Sequence, residues 1–424
     1  MEFIMVMRTL GWFLTIAVFH TLLVCAEPAP GDVYREYLWW NEDGDAGGSV
    51  RVGGKLGEEY PDRGSHHGYI NSAIELSDDF DLDGATKAEV VLEKILCHDG
   101  TQGLAIQVNG NDWLPVPVPN TIPYPQWEYQ HHIYPTVAVP LSHLKKGKGN
   151  QFRLRVAAEH RWNWPQNLIY GVHFRVYYDP ETKPHPMGKI DSLQDGDSIG
   201  AAVSLTTEIT QSPAPIQKVD YIGFFEDLNW EGDGVYRQWH YHYFHSDLIH
   251  HIGSAVEKPY KHNWDASWLP DQREPMYVSA RIVDETGLIY FSEPVGDLAL
   301  KRDFSVELCK PYSIPQRWAT RSGEKEQYFD IQGDLSKATA AQMAWSSWSP
   351  GYMNGIYIND QKVFDSEGPN YQYYAHRVDL KNLDALKQGQ NRLKTGKTPL
   401  YDGKMVHGME VNWPGIMVLV RYAK

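Results

Sequence analysis

The residues with the clearest chemical potential form a histidine-rich stretch in the middle of the chain. Six histidines fall within 23 residues, namely His240, His242, His245, His250, His251 and His262. Neutral imidazole is a good ligand for transition metals, and it can accept or donate a proton near neutral pH. If the protein is an enzyme, His240 and His242 are the candidate catalytic residues, because alternate residues of a β-strand point to one face. The alternative is that these imidazoles pack and hydrogen-bond among the neighbouring aromatic residues.

An acidic loop with a glycine at its sixth position comes directly before the histidines. Its oxygen-bearing side chains are Asp227, Asn229, Glu231 and Asp233. Oxygen atoms at alternate positions before a glycine suit calcium, so these four side chains are candidate calcium ligands. A polar hairpin tip is the alternative. Gly-Asp-Gly is common in turns, and Gln238 stands at the twelfth position, where a calcium loop has a bidentate carboxylate.

A third group combines aromatic and polar side chains in the first half of the chain. Its members are Trp127, Tyr129, His131, His160 and Trp162. Flat aromatic faces beside hydrogen-bonding groups suit a sugar surface, and loops between strands are where binding residues tend to lie. These five side chains are therefore candidate ligand-binding residues. Core packing is the alternative, because the nearby Asn-Trp-Pro at 163–165 recurs at 412–414.

No motif in the sequence indicates any other catalytic chemistry. Glycoside hydrolysis needs two carboxylates about 5 to 10 Å apart, and many are available, among them Glu159, Glu226, Asp227 and Glu410. Their sequence context favours none of them. Nucleophile-elbow, zinc-protease and phosphate-loop motifs are absent from the sequence.

The elements that must position these residues are strands. Short alternating runs of Val, Ile, Tyr and Phe are separated by Gly, Pro, Asn and Asp, and helical periodicity is scarce. This pattern predicts an all-β fold. The predicted strands include 88–96, 104–108, 152–156, 172–178, 219–224 and 277–283. Cations alternate with apolar residues in 152–156 and 172–178, which predicts that each of these strands is buried on one face only.

The chain also contains an internal repeat. Four short segments of the first half recur in the same order in the last third: 103–110 at 355–360, 139–141 at 378–380, 149–154 at 389–393, and 163–165 at 412–414. Such ordered self-similarity predicts two copies of one domain. We assign them to residues 31–182 and 308–424.

The repeated segments carry a family resemblance. A strand that ends in Asn-Gly at 109–110 or Asn-Asp at 359–360 is followed by Val-x-Leu and then by a Gly-x-Asn turn before the next strand. This order resembles the galactose-binding-like jelly roll. The resemblance implies that each copy is a β-sandwich that binds sugars on loops at one end. It also implies that the five candidate ligand-binding residues of the first copy form a glycan-binding surface. Domains of this kind are often attached to secreted glycan-active enzymes.

The middle of the chain resembles a different module. The run 219–224, the pair Pro259-Tyr260 with Trp264-Asp265, and the run 276–284 with its Glu-Thr-Gly turn resemble a bacterial immunoglobulin-like domain. We assign it to residues 190–305, after a stiff linker at 183–188. Residues 226–251 form an insertion where such modules have a short hairpin. The predicted architecture is an immunoglobulin-like sandwich flanked by two jelly rolls.

The first residues predict secretion. A short charged start, an apolar run from 9 to 23 and small residues near Ala26 are typical of a signal peptide at residues 1–26. A lipoprotein start at Cys25 is the alternative. Only Cys97 and Cys309 remain after cleavage, which is too few for a disulfide-dense scaffold. No later apolar run approaches membrane length, so we expect no membrane insertion of the mature chain.

Charge and aromatic content indicate the class of partner. The net charge of −15 is poorly suited to a nucleic-acid backbone, whereas 15 Trp and 26 Tyr against 13 Phe favour residues with a polar edge. The leading prediction is a secreted protein that recognises a polysaccharide. The alternatives are a polysaccharide-degrading hydrolase or lyase with its site at the histidine-rich insertion, and a structural or adhesive surface protein.

Overall fold

The computed structural model describes residues 28–41, 49–52, 72–96, 102–157 and 167–424. The predicted signal peptide, Cys97 and the candidate ligand-binding residues His160 and Trp162 lie outside these residues. Cys309 is a buried free thiol. No helix in the described part of the chain is long and apolar enough to cross a membrane.

The first ten strands form a two-layered sandwich. They are β1 (Val33–Trp40), β2 (Val50–Val52), β3 (Ile74–Glu75), β4 (Ala85–Leu96), β5 (Ala105–Val108), β6 (Trp113–Pro115), β7 (His132–Ile133), β8 (Thr136–Ala138), β9 (Gln151–Arg155) and β10 (Asn167–Tyr178). In one layer the order is β1-β10-β4, with β7 and β8 beside β4. The other layer is β3-β9-β5-β6. Alternating apolar residues fill the space between them, and the ring of Phe152 lies 6.3 Å from that of Phe174.

The last nine strands repeat this arrangement. They are β24 (Phe304–Cys309), β25 (Lys325–Ile331), β26 (Ala338–Trp348), β27 (Ile356–Ile358), β28 (Gln361–Phe364), β29 (Tyr373–Asp379), β30 (Gly389–Thr395), β31 (Glu410–Val411) and β32 (Met417–Ala423). The two layers are β24-β32-β26-β29 and β25-β30-β27-β28. The strands β24, β32, β26 and β29 take the places of β1, β10, β4 and β8, and β25, β30, β27 and β28 take the places of β3, β9, β5 and β6. Its own core contains the fully buried Phe329 and Trp345.

Two equivalent pairs of asparagines, one in each sandwich, explain why the repeat is visible in the sequence. Asn109 follows β5 with φ of 50° and donates its side-chain amide to Asn150 Oδ1 at 2.8 Å. Asn359 follows β27 with φ of 48° and bonds in the same way to Asn391 at 2.8 Å. Asparagine tolerates this left-handed conformation better than most residues. Asn150 and Asn391 are fully buried, and each also bonds to the backbone of the turn before it.

The central strands extend the first sandwich. They are β11 (Met187–Ile190), β12 (Ser198–Ile199), β13 (Ala202–Leu205), β14 (Thr207–Gln211), β15 (Ile216–Glu226), β16 (Arg237–Trp239), β17 (His242–Phe244), β18 (Asp247–Ile249), β19 (Gly253–Ala255), β20 (His262–Asp265), β21 (Met276–Asp284), β22 (Leu288–Phe291) and β23 (Val295–Leu300). β1 pairs with β10 on one side and with β22 on the other. The N-terminal and central segments therefore share one sheet.

Helical structure in the described residues is limited to 3₁₀ turns of three residues. They are Gln126–Glu128, Leu141–His143, Thr320–Ser322, Leu335–Lys337, Pro350–Tyr352 and Leu383–Ala385. The predicted all-β class, built from β-sandwiches, is confirmed.

One predicted strand differs from the structure in its environment. The run 172–178 was expected to be buried on one face, yet all residues of β10 are buried. The histidine-rich insertion covers the second face, because the ring of Tyr243 lies 4.8 Å from that of His173. Arg175 on the same face pairs with Glu36 at 2.9 Å. The polar face of β10 is therefore an internal contact surface. For 152–156, alternating burial confirms the prediction.

Candidate functional site

A cavity of about 460 Å³ lies where the histidine-rich insertion meets the first sandwich. Residues 117–121 and 133–136 line its N-terminal side, together with Arg175 of β10. The insertion contributes Glu231 and Asp233 of the acidic loop, Val235, and residues 238–243 except His240. We call this space the central cavity. It joins two parts of the chain that are about a hundred residues apart in sequence.

Two glycines allow the acidic loop to form one wall of the central cavity. Gly232 and Gly234 have φ of 66° and 85°, which favours glycine at both positions. A Cβ atom on Gly232 would come within 1.9 Å of the carbonyl oxygen of His132 on β7. This close approach places the neighbouring carboxylates of Glu231 and Asp233 against the first sandwich.

The two candidate catalytic histidines do not lie on one strand. β16 ends at Trp239, and the backbone N–H of Tyr241 donates to the carbonyl of Trp239 at 3.2 Å. The chain therefore turns tightly at His240 before β17 begins at His242. The prediction that both imidazoles point to one face of a strand is wrong, because this turn interrupts the alternation. Only His242 lines the central cavity.

His240 is held in a buried ion pair. Its Nδ1 lies 3.4 Å from Glu231 Oε1, and its Nε2 lies 2.8 Å from the carbonyl oxygen of Phe225. Burial alone would lower the pKa of His240, but the Glu231 carboxylate raises it to about 9. Conversely, burial would raise the pKa of Glu231, and His240 holds it well below its usual value. Both ring nitrogens are engaged, which makes His240 a structural cation.

His242 and Tyr134 bring unfilled hydrogen-bonding capacity to the cavity. His242 is 3% exposed, and neither of its ring nitrogens has a hydrogen-bond partner. Its Nδ1 lies 3.7 Å from Glu231 Oε1. The ring of Tyr134 lies 4.4 Å from the His242 ring, and the Tyr134 hydroxyl is also buried without a partner. Burial raises the pKa of Tyr134 well above its usual 10, so the phenol keeps its proton.

Asp233 is the second carboxylate in the wall of the central cavity. Its Oδ1 accepts hydrogen bonds from Asn229 Nδ2 and from the backbone N–H of Val235, both at 2.8 Å. Gln238 Nε2 lies 3.4 Å from the same oxygen and 3.0 Å from Glu231 Oε2, so one amide bridges the two carboxylates. Burial and the nearby charge of Glu231 raise the pKa of Asp233.

A buried ion network supports the floor of the cavity. Glu36 on β1 accepts from Arg175 Nε at 2.9 Å and from Arg281 on β21. Arg281 also donates to Asp220 at 2.6 Å, and the Tyr243 hydroxyl donates to Glu36. The network thus connects the first sandwich, the central sheet and the insertion. Removing one member of such a set leaves a buried charge without its partner.

The predicted N-terminal binding surface is only partly described. Trp127 lines a smaller cleft of about 210 Å³ together with His131, and its ring lies 5.4 Å from that of the exposed Tyr124. His131 is 1% exposed and its Nδ1 lies 3.0 Å from the Tyr129 carbonyl oxygen. Tyr129 is half-buried. The cleft and the central cavity share Pro117 and Val118 as lining residues.

Metal binding stays a prediction. Among the described residues, no group of three or more His, Cys, Asp or Glu side chains is placed to hold a metal ion. The fully buried Glu93 lies near two histidines, His132 at 4.0 Å and His173 at 3.9 Å, each facing a different carboxylate oxygen. In the predicted calcium loop, Asn229 directs its amide group at Asp233, and Asp227 does not line the central cavity.

The structure brings together Glu231, Asp233 and His242, which the sequence assigned to two separate chemistries. It adds Tyr134 and Arg175, which had no assigned role. No local pattern marks them, because Arg175 lies on a strand with ordinary alternation and Tyr134 lies between two short strands. The signal available in the sequence was limited to the polar residues His173 and Arg175 within the otherwise apolar run 172–178.

No protein-family model matches the chain, and no curated protein is significantly similar to it. Solved structures give distant similarities. A fibronectin(III)-like module of Clostridium thermocellum CbhA is 19% identical over 27% of this chain and 96% of that chain, with a TM-score of 0.18. A DUF4785 family protein from Legionella pneumophila is 11% identical over 94% of this chain and 86% of that chain, with a TM-score of 0.24.

A third similarity is to a carbohydrate-active enzyme. The β-porphyranase BpGH86A of glycoside hydrolase family 86, from the gut bacterium Bacteroides plebeius, is 10% identical over 57% of this chain. The match covers only 37% of that enzyme, with a TM-score of 0.21. At these scores none of the three similarities indicates what this chain binds.

The ion pair of His240 with Glu231 should give stability a characteristic pH dependence. Because the folded-state pKa of His240 is raised to about 9, its contribution is complete below pH 6.5 and is lost as the pH rises through 9. We expect His240→Gln to lower the free energy of unfolding by roughly 3 kcal/mol below pH 6.5. Urea denaturation of both proteins below pH 6.5 and above pH 9 measures the difference. A difference that does not shrink at high pH would contradict the pairing.

Proposed function

We propose that this is a secreted carbohydrate-binding protein whose ligand occupies the central cavity. The observation that carries the proposal is the unfilled hydrogen-bonding capacity of His242 and Tyr134 in the cavity wall. A buried polar atom without a partner costs about 1–3 kcal/mol. The hydroxyl groups of a sugar are both donors and acceptors, and they would satisfy these atoms.

The shape and lining of the cavity suit such a ligand. Its volume of about 460 Å³ lies within the roughly 300–1,000 Å³ of typical small-molecule sites. Tyr134, Trp239 and Tyr241 give it aromatic surface, against which the apolar face of a sugar ring can pack. Asp233 and Gln238 add polar groups that can fix the orientation of hydroxyls.

The charges in the wall favour an uncharged ligand. Arg175 is compensated by Glu36 at 2.9 Å and by Glu89 at 3.1 Å. Glu231 is compensated by the protonated His240. A phosphate or a strongly anionic ligand would need an unpaired cation, and Arg175 already has two carboxylate partners.

A polysaccharide fits the surroundings better than a free monosaccharide. The Trp127 cleft adjoins the central cavity through Pro117 and Val118, so a chain seated in the cavity can continue into the cleft. The exposed Tyr124 beside Trp127 offers further aromatic surface there. Secretion, expected from residues 1–26, would bring the protein into contact with extracellular polysaccharides.

A substitution that places a bulky residue at the rim of the central cavity tests the proposal. Asn120 is exposed and lines the central cavity, so Asn120→Trp should obstruct the entrance without removing a core residue. We expect the variant to bind at least about tenfold more weakly, a loss of roughly 1.4 kcal/mol. Affinity electrophoresis against a panel of plant, algal and microbial polysaccharides identifies the ligand, and isothermal titration calorimetry measures its affinity.

Two further variants localise the ligand. Asn120→Ala is the matched control and should bind like the wild type, because it leaves the entrance open. Trp127→Ala should weaken binding of long chains more than binding of short oligosaccharides. If Asn120→Trp binds normally and Trp127→Ala abolishes binding, the ligand lies in the cleft and the proposal fails. Retention of no polysaccharide by the wild type would also contradict it.

A further inference from the structure

We infer that the Trp127 cleft recognises an acetamido sugar, a hexose unit in which an N-acetylamino group replaces one hydroxyl, with Asn167 and His131 as the specificity-determining residues. This inference rests on the proposed function, because it assigns the cleft to a neighbouring unit of the polysaccharide that occupies the central cavity. It names the chemical class of that unit, which the sequence left open.

The first argument is an unbonded amide group in the wall of the cleft. Asn167 is the first residue of β10, it lines the cleft, and its side chain is buried with 1% exposure. Neither its amide nitrogen nor its amide oxygen has a hydrogen-bond partner. A buried amide without partners destabilises the folded state. A ligand that carries both an acceptor and a donor would satisfy the two atoms.

The second argument is the tautomer of His131, which also lines the cleft. Its Nδ1 lies 3.0 Å from the carbonyl oxygen of Tyr129. A carbonyl oxygen only accepts hydrogen bonds, so Nδ1 carries the proton. Burial and the nearby charge of Lys94 lower the pKa of His131 well below its usual value, so the ring is neutral. Its Nε2 is therefore an acceptor, and it is buried without a partner.

The strand register brings these two side chains to one place. β10 pairs Asn167 with Leu96 at the end of β4, and β7 pairs His132, the neighbour of His131, with Ile95. The two residues therefore lie on opposite sides of β4. Neighbouring strands are about 4.8 Å apart, so roughly two strand spacings separate their backbones. A ligand group that lies between the two side chains contacts both.

An acetamido group matches the hydrogen-bonding atoms and the apolar lining of the cleft. Its carbonyl oxygen can accept from Asn167 Nδ2, and its N–H can donate to Asn167 Oδ1 or His131 Nε2. Its methyl group can pack against the apolar lining residues, which are Leu104, Val116, Pro117, Val118 and Trp127. The cleft volume of about 210 Å³ is below the roughly 300–1,000 Å³ of complete small-molecule sites. It suits one substituted sugar unit.

An acidic sugar is the competing interpretation, because Lys94 also lines the cleft. A carboxylate only accepts hydrogen bonds, so a uronate would leave Asn167 Oδ1 and His131 Nε2 without donors. The hydroxyls of an unmodified hexose can bond to these atoms, but they offer no apolar group to the lining. The acetamido sugar is the class that uses both properties of the cleft.

The experiment compares matched sugars on the full chain. The probes are the methyl glycosides of N-acetylglucosamine, N-acetylgalactosamine and N-acetylmannosamine, with their parent hexoses and the corresponding uronic acids. Saturation-transfer NMR and titration measure contact and affinity. We expect at least one acetamido sugar to bind about tenfold or more tightly than its parent hexose, a difference typical of one added apolar group. Its acetyl methyl protons should receive the strongest saturation.

Asn167→Leu tests the specificity-determining amide and separates binding from folding. It should abolish the acetamido preference and, without ligand, melt at or above the temperature of the wild type, because it removes an unbonded buried amide. Asn167→Ser serves the same purpose if the leucine variant does not fold. Asn111→Leu is the matched control. The Asn111 amide donates to the carbonyl oxygen of Val108 at 2.9 Å, so this variant should melt lower and keep the preference.

The outcomes distinguish this inference from the proposed function. Equal binding of acetamido sugars and parent hexoses, tighter binding of uronic acids, or a preference that survives in Asn167→Leu and Asn167→Ser would overturn the inference and leave the proposed function intact. Binding of none of the acetamido sugars would also overturn it. An acetamido preference together with polysaccharide binding that Asn120→Trp does not weaken would instead overturn the proposed function, and recognition in the cleft would stand.

Discussion

Glu36→Gln is expected to lower the free energy of unfolding by about 3–5 kcal/mol, the usual cost of breaking a buried ion pair. The Glu36 side chain is 4% exposed. It is the shared acceptor of Arg175 and Arg281, and the Tyr243 hydroxyl donates to it as well. Glutamine keeps the shape but carries no charge, so two buried guanidinium groups would lose a common counter-ion.

The same carboxylate should contribute to acid denaturation. Burial alone would raise the pKa of Glu36, but Arg281 and Arg175 together lower it to about 2. Because the folded-state pKa is depressed, the stabilisation is present above pH 4.5 and is lost as the pH falls through 2. The wild type should therefore lose stability towards low pH more steeply than Glu36→Gln.

Urea denaturation followed by tryptophan fluorescence measures both effects. Glu75→Gln is the matched control, because Glu75 is an exposed carboxylate of the same sandwich, and it should change stability by less than about 0.5 kcal/mol. Equal stability of Glu36→Gln and the wild type would show that the two arginines find other partners.

Gly232→Ala is expected to destabilise the protein by about 2–5 kcal/mol and to weaken ligand binding. Two costs combine. The φ of 66° is unfavourable for alanine, and the added Cβ would lie 1.9 Å from the carbonyl oxygen of His132, so the loop or β7 must move. Glu231 and Asp233 flank this position, and the displacement would reach the wall of the central cavity.

Gly84→Ala separates these two costs. Gly84 has φ of 75°, and a Cβ there would meet no atom within 4 Å. Its replacement should cost only about 1–2 kcal/mol, the penalty for a left-handed alanine. Thermal melts of both variants measure the difference. Equal losses would mean that the close approach to β7 is easily relieved, and that the acidic loop is not held against the first sandwich.

Features of the fold that depend on neighbouring residues, such as turns and strand alternation, were predicted well from the sequence. The Asn109 and Asn359 turns were identified from a few residues each, because an asparagine with positive φ and its buried partner Asn150 or Asn391 lie in short recurring motifs. The all-β class followed from alternation alone, which depends on neighbouring residues and on no distant contact.

Long-range burial was the part that could not be predicted. Alternation in 172–178 indicated a solvent face, yet the insertion, whose Tyr243 is 70 positions away from His173 in sequence, covers that face. The same limit applies to the candidate site. The sequence identified Asp233 only as a candidate calcium ligand of the acidic loop, because its raised pKa depends on burial and on how near Glu231 lies.

The pairing of β1 with both β10 and β22 has a consequence for truncated forms of the chain. A fragment that ends at residue 182 keeps β1 but loses β22, which leaves a row of backbone N–H and C=O groups along one side of β1. The exposed groups are those of Val33–Arg35, the part of β1 that pairs with β22, and such an open strand edge pairs readily with other chains. Expressed alone, the first sandwich should self-associate more than a fragment that continues through residue 305, in which these three residues stay paired.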